Sequence, residues 1–248
     1  MEDLRDVVAA VGSGCLPPAD GRTVVVPQAG ERDAGVLAFT GHSVVFTDED
    51  PEWVRAALAA TGADPLAAPL SPAFLAALQA RTGRVCDTVD VLLTATPLPG
   101  PPTLALRAAD GSTHPRVGRA RTRRDGVRAW RADGGVLVLG YGVAGRLEVS
   151  VEVDDGVRQH SEARTGTAPR PGLGHQLAFN ARHLADGPVW AQVSPGNARS
   201  LRAFLAAGYV PVGAEALLPY PDPTPEPAPE HGAALSRHGS AQDPRVTQ

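Results

Sequence analysis

Residues 194–213 read SPGNARSLRAFLAAGYVPVG. A polar turn leads into a segment rich in Ala, Leu and Arg, which stops at Gly208 and passes into an apolar run. Asn197 stands where a helix N-cap belongs, and Gly208 stands where a left-handed residue closes a helix. The run before it, VWAQV at 189–193, reads as a strand, so the stretch is strand, helix, strand. Asn197 has two readings. Its side chain caps the helix through the N–H of Arg199 or Ser200, or its amide, both donor and acceptor, meets an amide-rich ligand. Both can hold at once.

Upstream, RPGLGHQLAFNARHLA at 170–185 spaces Leu173, Leu177 and Leu184 for one helix face, with Gly172 and Gly174 at its N-terminus. Glycines there let the backbone approach an anion, and free N–H groups with the helix dipole favour a phosphate. Glycine also serves ordinary helix entry. A Rossmann site needs a third glycine where Leu177 stands, and a Walker loop needs a lysine, which the chain lacks altogether. Further back, RLEVSVEVD at 146–154 alternates strictly, with Val149, Val151 and Val153 on one face and Glu148, Ser150 and Glu152 on the other. The acidic face is either solvated sheet surface or the seat of a general base, since a glutamate in a partly dry cleft has its pKa raised.

The remaining chain falls into three parts. Residues 1–85 read as a small α+β subdomain: a helix on Leu4, Val7, Val8 and Val11, two strand runs, and two helices opened by Asp50-Pro51 and Ser71-Pro72. Residues 86–218 carry DTVDVLLTA, whose length leaves strand or helix open, TLALRA, an Arg-rich stretch, three strand-like runs and then the segments above. The last strands are YVPVG and AEALL. Residues 219–248, beginning PYPDPTPEPAPEHG, cannot bury enough apolar surface to offset ordering entropy and are expected to be a disordered Pro-rich tail.

The order of these elements resembles the second half of the GNAT superfamily of N-acetyltransferases. The pattern N-x-x-[AS]-x-x-x-[YF]-x-x-x-G-[FY] is met by Asn197, Ser200, Phe204, Gly208 and Tyr209. The likeness covers about 127–218. It implies a mixed, mostly antiparallel α+β sheet flanked by helices, and transfer of acetyl from acetyl-CoA to an amine by direct attack. It also implies that the strands on either side of the glycine loop splay around the pantetheine arm. By the same resemblance Arg170, Gly172, Leu173, Gly174 and His175 hold pyrophosphate. Val151, Val153, Asn197, Ser200 and Phe204 line the CoA arm, and Glu148 or Glu152 is the base. An extended arm's length back from the loop favours Glu148. Three departures stand out: a long segment 154–171, Pro169 and Pro171 in the loop pattern, and Phe204 where many members carry a proton-donating tyrosine. They support an alternative, a GNAT-like CoA-binding or interaction module without turnover.

Composition narrows partners and class. A net charge of −4 gives no electrostatic case for nucleic acid or an anionic membrane. No window is apolar enough to span a bilayer, and the first residues lack a signal-peptide pattern, so a cytoplasmic protein is expected. Cys15 and Cys86 form no CxxC pair, and His160, His175 and His183 lack metal-ligand spacing, so no metal is expected. Seven arginines between 116 and 131 read as a solvated helix face, or as the border of a cleft for an acidic acceptor. The first 85 residues either complete the acceptor site or mediate a homodimer.

Overall fold

The structure is a computed structural model that describes residues 3–154 and 172–220. In chain order it contains α1 (Leu4–Gly12), β1 (Arg22–Val26), β2 (Asp33–Phe39), β3 (His42–Phe46), α2 (Pro51–Ala60), α3 (Pro72–Thr82) and β4 (Val89–Ala95). There follow β5 (Arg107–Ala108), α4 (Pro115–Arg123), β6 (Asp125–Ala132), β7 (Gly135–Tyr141), β8 (Leu147–Val153), α5 (Leu173–Ala181), β9 (Val189–Val193), α6 (Ala198–Ala206) and β10 (Val210–Pro219).

Local chemistry sets the helix starts. Asp3, Asp50 and Ser71 cap α1, α2 and α3 with side-chain oxygens, and proline opens α2 and α3 with a φ already suited to a helix. Gly208 ends the α6 turn at φ +85°, and a Cβ there would strike the Arg182 guanidinium, which donates to the Ala207 carbonyl.

All ten strands form one sheet in the order β1-β3-β2-β10-β4-β9-β8-β7-β6-β5. Only β1/β3 and β8/β9 pair in parallel; the other neighbours are antiparallel. The mixed, mostly antiparallel α+β sheet is therefore as expected. Residues 22–46 do not carry a sheet of their own, because β2 pairs with β10 from Gly213↔Phe39 to Pro219↔Asp33. DTVDVLLTA resolves as strand β4, held between β10 and β9.

Three expectations about segments change. YVPVG and AEALL are a single strand, β10, with a register shift between Pro211 and Gly213 that lets it continue rather than turn. Only Arg107 and Ala108 of TLALRA pair as a strand. The ordered chain also passes the expected tail boundary. Pro219 ends β10, and Tyr220 donates to the Arg32 carbonyl and lies under Arg84, whose guanidinium holds the carbonyls of Glu31, Arg32 and Leu218. Residues 221–248 lie outside the described residues.

Helices cover the two faces unequally. One face carries α2 and α3 over Val36, Val45, Ala216 and Leu218, and α5 and α6 over Leu137, Val149, Ala191 and Val193. The other carries α1 over Leu37, Leu92 and Trp190, and α4 over Ala129, Val136 and Val138. Burying these apolar faces is the main driving force for the fold. Between α1 and α4 the second face is left open, and the polar side chains of β8, β9 and β10 are found there.

Candidate active site

The parallel ladder between β8 and β9 holds two residue pairs, Leu147↔Val189 and Glu148↔Trp190, and ends. Past it β8 continues against β7 as far as Val153, and β9 continues against β4 as far as Val193. The two strands thus part after Glu148. At the far end of β8 the first turn of α5 lies beside it, since a Cβ on Gly174 would meet Val153 at 3.8 Å and Ala203 of α6 at 3.9 Å. Among the described residues no side chain caps α5 at Gly172, and none of their atoms lies within 4 Å of where a Gly172 Cβ would stand. The first turn therefore presents backbone N–H groups without intrahelical acceptors.

A buried charge network fills the second face where the strands part. Arg146 Nε lies 2.8 Å from Glu148 Oε1, and Arg146 Nη2 lies 2.7 Å from Glu215 Oε2. Arg124, reaching down from the end of α4, places Nε 2.7 Å from Glu148 Oε2 and Nη1 3.0 Å from Ser150 Oγ. Gln192 donates to Glu215 Oε2 at 2.8 Å and to Glu148 Oε1 at 3.3 Å. The Arg146 guanidinium also stacks 5.4 Å from the Trp190 ring centroid. Gly142 makes room for this arrangement: a Cβ there would fall on the Glu148 carboxylate.

The two glutamates are opposite in character. Burial would raise the Glu148 pKa, but the guanidiniums of Arg146 and Arg124 outweigh it and hold the carboxyl below the usual range. Glu215, 1% exposed, has its pKa raised by burial, which its ion pair with Arg146 and hydrogen bond from Gln192 only partly offset. Its Oε1 has no hydrogen-bond partner among the described residues.

These groups floor a cavity of about 700 Å³, which suits a small organic ligand. Glu148, Val149, Ser150 and Gln192 border it at the point where β8 and β9 separate. Asp33, Asp90 and Glu215 form one side, and the arginines of α4 form the other. The gap in the sheet thus opens onto the cavity on one face, with α5 packed on the opposite face.

The residues expected from sequence distribute as follows. Glu148 is in the cavity floor, but the expected raised pKa is corrected by its two arginine partners. Glu152 is half-buried and paired with Arg116 at 2.8 Å. Asn197 caps α6, its Oδ1 accepting from Ser200 N at 3.1 Å. The side chains of Val151, Val153 and Leu173 pack into the apolar cluster beneath α5 and α6. His175 turns its Nε2 to within 3.2 Å of the Ala206 carbonyl. Phe204 was expected along the CoA arm. It is instead 4% exposed, edge-on to Tyr209 with ring centroids 4.9 Å apart, because the inward face of α6 needs its apolar bulk. Tyr209 is equally buried and donates to the Ala178 carbonyl at 3.2 Å; burial raises its pKa. Arg170, and most of the 154–171 segment, lie outside the described residues.

The arginine stretch is not simply a solvated face. Arg116 and Arg124 are tied to Glu152 and Glu148, and Arg121 is tied to the carbonyls of Asp110 and Ser112. Arg146, Gln192, Asp90 and Glu215 escaped the sequence reading. One signal was available: Glu215 is the lone acid in the otherwise apolar VPVGAEALLP. Among the described residues no group of three or more His, Cys, Asp or Glu side chains is arranged to hold a metal, and no helix is long and apolar enough to cross a membrane.

The fold and site define a class: an α+β sheet protein whose one central parallel strand pair opens over a charged cavity. No known family profile matches the chain, and no curated protein matches it. Among solved structures it is similar to a GCN5-related N-acetyltransferase from Kribbella flavida, at 18% identity and a TM-score of 0.34. That match covers 60% of this chain and spans 64% of the length of the Kribbella protein.

Proposed function

We propose that this chain is an acyl-CoA-dependent N-acyltransferase of the GNAT kind, moving acetyl from acetyl-CoA to an amine. The observation that carries this reading is the parting of β8 and β9 after Glu148↔Trp190, with the N-terminus of α5 at one end of the gap and a charged cavity at the other. The residues present suit such a donor. The first turn of α5 offers N–H groups to a pyrophosphate, and the β8 and β9 edges that face each other past Glu148↔Trp190 offer backbone groups to an amide-bearing arm. Acetyl-CoA would supply an activated thioester carbonyl.

Within this reading Glu215 suits proton uptake better than Glu148. Glu215 lines the cavity, its Oε1 has no partner among the described residues and its pKa is raised, whereas Glu148 is neutralised by two guanidiniums. Glu215 takes one proton from the ammonium, directly or through one water, the freed nitrogen lone pair attacks the carbonyl carbon, and the nitrogen releases its second proton to solvent as the tetrahedral intermediate collapses. Backbone N–H groups along β8 stabilise the developing oxyanion. The carbon–sulfur bond breaks and the thiolate leaves with a proton from solvent, because Phe204 has no hydroxyl to give. Glu148 and Arg146 act as positioning residues that fix Glu215 and Gln192.

Calorimetric titration with acetyl-CoA, followed by an amine screen that follows free thiol, tests the proposal. Failure to bind any acyl-CoA would sink it. The buried Phe204 and doubly paired Glu148 favour one second reading, a module that binds CoA without turnover; saturable binding with no thiol release from any amine would establish it.

A further inference from the structure

Asp90 and Glu215 are direct partners in the antiparallel ladder of β4 and β10, so their side chains leave the same face of the sheet side by side. Like charges directly opposite one another destabilise a sheet. Both carboxyl groups also keep an oxygen, Asp90 Oδ1 and Glu215 Oε1, that is buried and has no hydrogen-bond partner among the described residues. Burial raises the pKa of each, and raises that of Asp33 on the same wall. Arg146 compensates only the other oxygen of Glu215. A buried acceptor left unsatisfied costs about 1–3 kcal/mol, and both residues line the one cavity, so a cationic donor entering it would relieve that cost.

The opposite wall has the reverse sign. Arg116 and Arg124 are occupied by Glu152 and Glu148, but the side chain of Arg119, exposed at the cavity rim, has no ion-pair or hydrogen-bond partner among the described residues. A ligand with two cations would be matched on one side and repelled on the other. A ligand with one cation and one anion is matched on both.

We infer that the cavity binds a small zwitterionic amine, its ammonium against the carboxyl groups of Asp90 and Glu215 and its carboxylate or equivalent anion facing Arg119. The acceptor is thus amino-acid-like or a short peptide N-terminus. This rests on the cavity being the acceptor site of the transferase proposed above, and it identifies the class of that acceptor.

The test is calorimetric titration of the full chain with glycine, β-alanine, γ-aminobutyrate and glycylglycine. Each is compared with its N-acetyl derivative, which lacks the cation, and its carboxamide, which lacks the anion. At least one parent compound is expected to bind, and both of its derivatives are expected to bind about tenfold or more weakly. Asp90→Asn should weaken the parent by about tenfold while its thermal midpoint is not lowered, since the substitution relieves the cross-strand repulsion. Arg119→Ala should weaken the parent and leave the carboxamide unaffected. Absence of binding by all four compounds, equal binding of the N-acetyl derivatives, or full affinity in folded Asp90→Asn would each overturn the inference. Acetyl-CoA titrated into the same samples reports separately on the transferase reading. Its binding without amine binding removes only this inference, and amine binding without it removes only the transferase.

Discussion

Arg146 and Glu148, two residues apart at the entry of β8, are joined at 2.8 Å with the arginine fully buried, and through Arg146 the pair extends 2.7 Å further to Glu215. One cation therefore neutralises parts of two carboxylates from strands far apart in sequence. Arg146→Ala should cost about 3–5 kcal/mol, because it leaves buried charge uncompensated. Urea unfolding of the variant checks this. Arg146→Ala combined with Glu215→Gln should recover part of the loss, and a loss equal to the sum of the two single variants would refute the coupling.

Stability should depend on pH through these two carboxyls in opposite directions. Glu148 binds its proton less tightly when folded, so its contribution is present above the ordinary value of 4.5 and is lost as pH falls through its lowered pKa. Glu215 binds its proton more tightly when folded. Its contribution is present below 4.5 and is lost as pH rises through its raised pKa. Unfolding free energies of the wild type and Glu215→Gln, measured from about pH 4 to about pH 8, should therefore shift in favour of the variant as pH rises. A pH-independent difference would show that Glu215 does not titrate abnormally.

If the proposed transfer uses Glu215, Glu215→Gln should lower kcat by about 10²-fold or more while the Kd for acetyl-CoA stays near that of the wild type. The rising limb of the wild-type kcat/KM profile should sit above pH 4.5 and vanish in the variant. Retained activity in Glu215→Gln with loss in Glu152→Gln would return the base to Glu152.

Asn197 separates capping from ligand contact. Asn197→Ala removes the bond to Ser200 N and should cost about 1 kcal/mol, whereas Asn197→Asp keeps an acceptor and should be nearly neutral. If the side chain also meets the acyl donor, both variants weaken acetyl-CoA binding. Weakening by neither leaves the residue a cap alone.

Gly174→Ala should stabilise the protein by up to about 1 kcal/mol, because alanine is the better helix residue and its Cβ meets only ordinary contacts at 3.8 and 3.9 Å. If the α5 N-terminus cradles pyrophosphate, the same change should weaken acetyl-CoA binding. Gly142→Ala behaves in the opposite way, since its Cβ lands on the Glu148 carboxylate; about 1–3 kcal/mol of destabilisation is expected in the same unfolding assay.

Much of the fold was legible because it is written in short-range chemistry. Caps at Asp50, Ser71 and Asn197, the stop at Gly208 and the alternation of 146–154 each depend on residues within a few positions of one another, and each is found where the sequence places it. The site was legible only in part. Glu148 stands out because its strand alternates, whereas Glu215 is hidden in an apolar run that the sequence pattern divides into two strands. Its importance comes from Asp90, Arg146 and Gln192, brought beside it by pairing across β4, β9 and β10.

Sequence alone determined the type of most elements, a cap position at Asn197 and the existence of an acidic face on β8, since local hydrogen bonding and hydrophobic period decide these. Tertiary structure alone decided that residues 22–46 extend the same sheet, that Phe204 belongs to the core, and that the pKa of Glu148 is lowered while that of Glu215 is raised. The physical reason is that a carboxyl's protonation depends on which charges lie within a few ångströms and how much water has been excluded, and both are properties of the packed sheet rather than of any segment.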